Sequence, residues 1–285
     1  MVDLTRGKVG IPLAERIRQD TRAISIGYRF SAVPELEKGL MISDVSYLLQ
    51  LARGLTSFVC NAAHLSVLPQ AVLQTLFENH VNSLKVLHGF ATGFSFGADA
   101  LPFFGALDNI ECLTTGPTSL PSHAPSCSAI VEGLLSKSEK RLFPKLRSLY
   151  TPMVENHNVL FDLLVQCELP SLRHLRVSSW DRNSLRLFLT QHGSKLNHLE
   201  LKYSWTEETL ANKFIHARPP KNEPPVLLSL ISLCPNLEEL TLHDGYSFGL
   251  VGQAGPAWAH PRLRTIRMGC SSLEGCEQGL RHCGL

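Results

Sequence analysis

One pattern constrains this chain more than any other. Leu172, Leu175 and Val177 are echoed by Leu196, Leu199 and Leu201, by Leu237, Leu240 and Leu242, and by Leu263, Ile266 and Met268. Each triplet has the spacing L-x-x-L-x-L. Weaker copies lie upstream: Leu146, Leu149 and Thr151; Leu107, Ile110 and Cys112; Leu84, Leu87 and Gly89; Leu55, Phe58 and Cys60. Of the 24 key positions in these eight windows 22 are apolar, Gly89 and Thr151 being the exceptions. A chain that is 44% hydrophobic would fill roughly half as many by chance. A ninth copy, Thr21, Ile24 and Ile26, fits near the N-terminus.

The windows begin at 55, 84, 107, 146, 172, 196, 237 and 263, giving steps of 29, 23, 39, 26, 24, 41 and 26. Five of these steps fall in the leucine-rich-repeat range, and the two long ones need insertions. Between windows the apolar residues change to helical spacing: Val72, Leu73, Leu76, Phe77 and Val81; Ile130, Val131, Leu134 and Leu135; Val159, Leu160, Leu163, Leu164 and Cys167; Leu227, Leu228, Ile231 and Cys234. Pro144, Pro170, Pro235 and Pro261 each stand two residues before a window. Proline cannot continue a helix interior, so it marks the turn into the next strand. Short strand, helix, proline turn, short strand describes parallel units that cannot bury their apolar faces alone and must stack. The expected fold is an α/β leucine-rich-repeat solenoid, a horseshoe of eight or nine irregular repeats with a concave parallel sheet and convex helices. It is expected to span 1–285 as one domain. The clear repeats cover 51–268, with a divergent repeat or cap over 1–50 and a divergent or truncated end over 269–285.

The segments 169–177 and 234–242, each with a proline as its second residue ahead of L-x-x-L-x-L, resemble the repeats of fungal F-box/leucine-rich-repeat proteins over roughly residues 50–270. That resemblance implies a substrate receptor of a ubiquitin ligase. The chain departs from the family pattern in having no F-box ahead of the repeats. Leu68, Pro69, Val72, Leu73, Leu76 and Phe77 resemble an F-box opening, but they read better as a convex helix between two windows. A Skp-type adaptor is therefore expected as a partner only if an F-box lies outside this chain.

Composition narrows function further. A formal net charge of +2 argues against a nucleic-acid binder driven by a basic stripe. The start lacks the apolar stretch of a signal peptide, and no run reaches the length of a membrane span. Eight scattered cysteines, among them Cys60 and Cys112 at apolar window positions, point to reduced core thiols and a cytoplasmic or nuclear protein. The glycines at 245, 249, 252 and 255 follow neither the P-loop nor the dinucleotide pattern. Cys270, Cys276, Cys283 and His282 lack the short paired spacing of a zinc site. No metal, cofactor or catalytic set is expected, and the chain is not read as an enzyme.

Insertions at 116–126, 205–225 and 244–260 each follow a window, so each should leave the C-terminal end of a strand and share one rim of the horseshoe. Trp205, Tyr246 and Trp258 on those loops are candidate partner contacts. Strand alternation places the residues between the leucines on the concave face. These are Ser148 and Tyr150; His174, Arg176 and Ser178; His198, Glu200 and Lys202; Glu239, Thr241 and His243; Thr265 and Arg267. His174 and His198 share one repeat position and should stack. Mixed charge suits another protein as partner, with Tyr150 and Arg176 as anchors. Two alternatives stay open: an enzyme whose site is assembled on the rim loops, and a non-functional fragment of a longer receptor.

Overall fold

A computed structural model describes residues 2–3, 21–28, 35–62, 70–90, 108–115, 143–153, 164–180, 182–202, 226–243 and 260–269. The chain divides into two compact units. One comprises 1–151 with 156–171; the other comprises 152–155 with 172–285. Both are built from the same α/β repeat, the leucine-rich-repeat pattern of short parallel strands alternating with helices.

In the first unit the strands are β1 (Val2–Asp3), β2 (Ala23–Tyr28), β3 (Ser57–Ala62), β4 (Val86–Phe90), β5 (Cys112–Thr115) and β6 (Ser148–Met153), which runs just past the boundary. They pair in sequence order, each parallel to the last. Helices α1 (Glu35–Leu51) and α2 (Gln70–His80) accompany them, packed against each other. In the second unit β7 (His174–Trp180), β8 (His198–Lys202), β9 (Glu239–His243) and β10 (Thr265–Gly269) pair in the same way. Helices α3 (Arg182–His192) and α4 (Val226–Ile231) pack together beside them.

The register follows the leucines. Ile24, Phe58, Leu87, Leu113 and Leu149 form one continuous buried row across β2 to β6, and Leu175, Leu199 and Leu240 form another across β7 to β9. Parallel strands about 4.8 Å apart bring such identical positions into van der Waals contact. The ninth copy at Thr21 is thus a real repeat, since Ile24 pairs with Phe58. The helices supply the other wall of the core. Val72, Leu76, Phe77 and His80 of α2, and Leu185, Phe188, Leu189 and His192 of α3, are buried at helical spacing.

One window was misframed. Leu113, not Ile110, aligns with Leu149, and Cys112 aligns with Ser148. The repeat therefore begins at Ile110 rather than Leu107. Ile110 and Leu113 are both buried, whereas Cys112 lies half-buried on the opposite side of the strand. The physical reason is the two-residue period: a shifted frame swaps the faces. The corrected starts, 84, 110 and 146, give steps of 26 and 36. Thr151, the polar exception at a window position, is buried as the pattern requires.

A hydrogen-bond pattern repeats at the beginning of the strands. A single backbone carbonyl accepts the two N–H groups that open the next strand: Arg22 from Thr56 and Ser57, Thr56 from Lys85 and Val86, Lys85 from Glu111 and Cys112, Glu111 from Arg147 and Ser148. Arg173, Asn197 and Glu238 do the same in the second unit. Side chains in the preceding turns add a second tie. Asn109 Nδ2 donates to the carbonyl of Asn82 at 3.0 Å, Ser171 Oγ to that of Pro144 at 2.7 Å and Asn236 Nδ2 to that of Ser194 at 2.7 Å. In all three the donor stands one residue before its window and the acceptor two residues before the previous one. Gly193 is needed for the same close approach, since a Cβ there would lie 2.4 Å from the carbonyl oxygen of Leu233. Pro144, Pro170 and Pro235 sit in the turns where their sequence position put them.

The structure holds two helices that the periodicity reading passed over. These are α1, and α3, whose Leu185, Phe188, Leu189 and His192 do carry a helical stripe. The helix expected over 130–135 and the insertions lie outside the described residues, as do the Trp205, Tyr246 and Trp258 positions. Among the described residues no helix is long and apolar enough to cross a membrane.

Candidate functional site

On β7 to β10 the side chains between the leucines fall into rows. One row runs His174, His198, Glu239 and Thr265; the next runs Arg176, Glu200, Thr241 and Arg267; a third starts with Ser178, Lys202 and His243. Alternation guarantees this, because the intervening residues point away from the buried leucines. The sequence reading placed all of these on one face, and the register brings them into contact.

Glu200 is the centre. Its side chain is only 12% exposed. Arg176 Nε lies 2.8 Å from Oε1. His243 Nε2 donates to the same oxygen at 2.7 Å. Oε2 faces His174, whose Nε2 is 3.8 Å away. The rings of His174 and His198 stack with centroids 4.1 Å apart and planes 33° from parallel. His198 in turn has Nδ1 3.8 Å from Glu239 Oε2 and Nε2 3.4 Å from Thr241 Oγ1. Arg267 Nε holds Glu239 Oε1 at 2.7 Å. Each carboxylate thus has one oxygen held by an arginine and the other turned toward a histidine.

Burial is the main cause that lowers the His174 pKa below the ordinary imidazole value, and the neighbouring His198 and Arg176 push it the same way. Glu200 and Glu239 oppose this without reversing it. The balance favours the neutral form of His174. Its Nε2 is buried and has no hydrogen-bond partner among the described residues. Lys202 and Arg267 are exposed at the edges of the network.

The equivalent face of the first unit is different in kind. Ala23, Ser57, Val86, Cys112 and Ser148 form one row. Ser25, Val59 and His88 continue on the next level, as do Thr114 and Tyr150; the register between β4 and β5 shifts between Leu87 and Phe90, and a side-chain hydrogen bond joins His88 to Thr114 across that irregularity. None carries a formal charge at neutral pH apart from any protonated His88, whose pKa burial lowers. His88 Nδ1 hydrogen-bonds Thr114 Oγ1, and Cys112 Sγ lies 3.8 Å from His88 Nε2. Burial raises the Cys112 thiol pKa. The sequence reading began the face at Ser148 and so missed His88, Cys112 and Thr114. The x position between Leu87 and Gly89 would have signalled His88; Cys112 and Thr114 were hidden by the misframed window. Tyr150 is half-buried beside Thr114.

Cys112, Cys167 and Cys234 are thiols outside any disulfide. Cys167 and Cys234 are core residues, and burial pushes the Cys234 thiol pKa up to about 12, which keeps it protonated and unreactive. Cys270, Cys276, His282 and Cys283 lie outside the described residues.

No protein-family model matches the chain, and no curated protein matches it. A solved structure, the leucine-rich repeat-containing protein LegL7 from Legionella pneumophila, is similar over 99% of this chain and 97% of its own length, at 12% sequence identity and a TM-score of 0.46. At that level of likeness the repeat class rests on the strand register, the buried leucine rows and the helices of this chain itself.

Proposed function

We propose that this chain is a protein-interaction scaffold and that the charged sheet face of β7 to β10 is its recognition surface. The supporting observation is the ordered network on that face: Arg176, His243 and Glu200, flanked by Arg267 and Glu239. Side chains already held in place lose less entropy when a partner binds. Charges of both signs within one patch complement a protein better than a uniformly negative phosphate backbone. A scaffold is favoured over an enzyme because the charged groups described on this face are paired with one another across the strands. On the resemblance of segments 169–177 and 234–242 to F-box/leucine-rich-repeat proteins, the finer reading is a substrate-recognition module. In that reading a Skp-type adaptor is engaged only through an F-box outside this chain, and the protein works in the cytoplasm or nucleus. Lys202 belongs to the same face. Trp205, Tyr246 and Trp258, and separately Tyr150 on the first unit, are proposed as further contacts.

The test is capture of a partner with Arg267→Glu and Tyr150→Ala variants. Arg267 is 66% exposed at its side chain, so reversing its charge should leave the melting temperature within about 2 °C while weakening capture. If Arg267→Glu captures as well as wild type while Leu187→Ser on the exposed side of α3 abolishes capture, the assignment to β7 to β10 is wrong; full capture by Tyr150→Ala would remove the separate first-unit contact.

A further inference from the structure

We propose that His174, His198 and Glu200 form a binding site for a borderline transition-metal dication, of which zinc is the best fit. Strand pairing puts His174 and His198 side by side, and Glu200 follows His198 on the same face two residues on. One donor atom from each lies within 4.8 Å of the others. Two imidazole nitrogens and a carboxylate oxygen are a donor set that suits zinc. Ligand bonds of about 2.0–2.2 Å would bring the donors to roughly 3.4 Å apart, which side-chain rotations can supply without moving a strand.

Two observations go beyond the cluster itself. His174 Nε2 is buried with no hydrogen-bond partner among the described residues, although such an atom normally has one. Glu200 Oε1 is held by Arg176 and His243, which orients Oε2 toward His174 as outer-shell partners orient metal ligands.

Charge limits the affinity. Arg176 and Arg267 already balance Glu200 and Glu239, so an added dication is not drawn in by surplus negative charge. A micromolar rather than a picomolar site is expected. Three protein ligands leave a coordination position toward the open side of the sheet, for water or for a donor atom of another molecule. The inference does not depend on the partner reading, because metal binding is measured on the chain alone.

The experiment titrates zinc chloride into the purified full chain by calorimetry and cobalt chloride by absorption spectroscopy. One zinc should bind, and the His174→Gln/His198→Gln double variant should weaken it by at least about tenfold. The cobalt complex should show ligand-field bands without thiolate charge transfer. Diethyl pyrocarbonate footprinting of the wild type, read by mass spectrometry, needs no variant to fold: zinc should protect His174 and His198 from modification. Absence of zinc binding, unchanged affinity in the folded double variant, thiolate bands with cobalt, or unprotected His174 and His198 would each overturn the proposal.

Discussion

His80 shows how one buried polar residue ties stability to pH. Its Nε2–H donates to the carbonyl of Leu49 at 2.6 Å, joining α2 to α1, and its Nδ1 is buried with no hydrogen-bond partner among the described residues. Protonation would place an N–H at Nδ1 with no acceptor there, so burial holds the pKa below the ordinary value, although the Leu49 bond pulls the other way. His88 and His174 are shifted in the same direction, chiefly by burial. A folded pKa below the unfolded one means the unfolded chain takes up protons first. The stabilising contribution is whole above about pH 6.5 and is lost as pH falls through the folded values. The melting temperature should therefore drop on the acid side of that pH. A glutamine side chain in place of His80 could still donate to the Leu49 carbonyl but does not titrate. The His80→Gln variant should therefore flatten the drop; an unchanged profile would remove His80 as a contributor. The turn side chains act on a different lever. Asn236→Ala deletes the bond to Ser194 and should cost about 0.5–1.5 kcal/mol, measurable by urea titration.

At the scale of a strand, energy depends on which face a residue occupies. Leu175, Leu199 and Leu240 are fully buried, and truncating any of them to alanine should cost about 2–5 kcal/mol. The corrected frame of β5 makes a sharper forecast. Leu113→Ala should be as damaging as Leu149→Ala, whereas Cys112→Ala on the other face should cost well under half as much. Equal losses at 112 and 113, measured by denaturant unfolding, would mean the register of β5 is wrong. Ile266 and Met268 of β10 repeat the leucine pattern yet are 41% and 43% exposed. Ile266→Ala should accordingly be milder than Leu240→Ala, because less apolar surface leaves water at Ile266 on folding.

At the scale of the whole molecule, stacked repeats gain their stability from neighbours rather than from distant contacts. All three tryptophans, at 180, 205 and 258, belong to the second unit. Tryptophan fluorescence thus reports that unit, while circular dichroism reports both. Leu240→Ala in the second unit should lower the fluorescence midpoint more than Leu87→Ala in the first. Equal shifts of both probes in both variants would instead make the chain one cooperative unit. The two faces also differ in composition among the described residues: charged and paired on β7 to β10, without Lys, Arg, Asp or Glu and with Tyr150 on β4 to β6. Only the former carries the site argued above.

Apart from β1, which no window covers, and the frame of β5, the leucine spacing alone determined the strands, their parallel order and which side chains turn away from the core. A period of two within a window and a period near 25 between windows admit few other arrangements that bury every leucine. Where the spacing was ambiguous it misled. Ile110, Cys112 and Leu113 are all apolar, so two frames fitted β5, and only pairing with Leu149 decided between them. The sequence also placed His174, Arg176, His198, Glu200 and His243 on one face but could not say which of them meet. That depends on the lateral register of β7, β8 and β9 and on rotamers chosen across strands. His174 and Glu200 are 26 residues apart and Glu200 and His243 are 43 apart, yet neighbouring strands put both histidines around the Glu200 carboxylate. Hydrogen bonds and shifted pKa values arise from those distances and from the water excluded around them, neither of which a linear pattern contains.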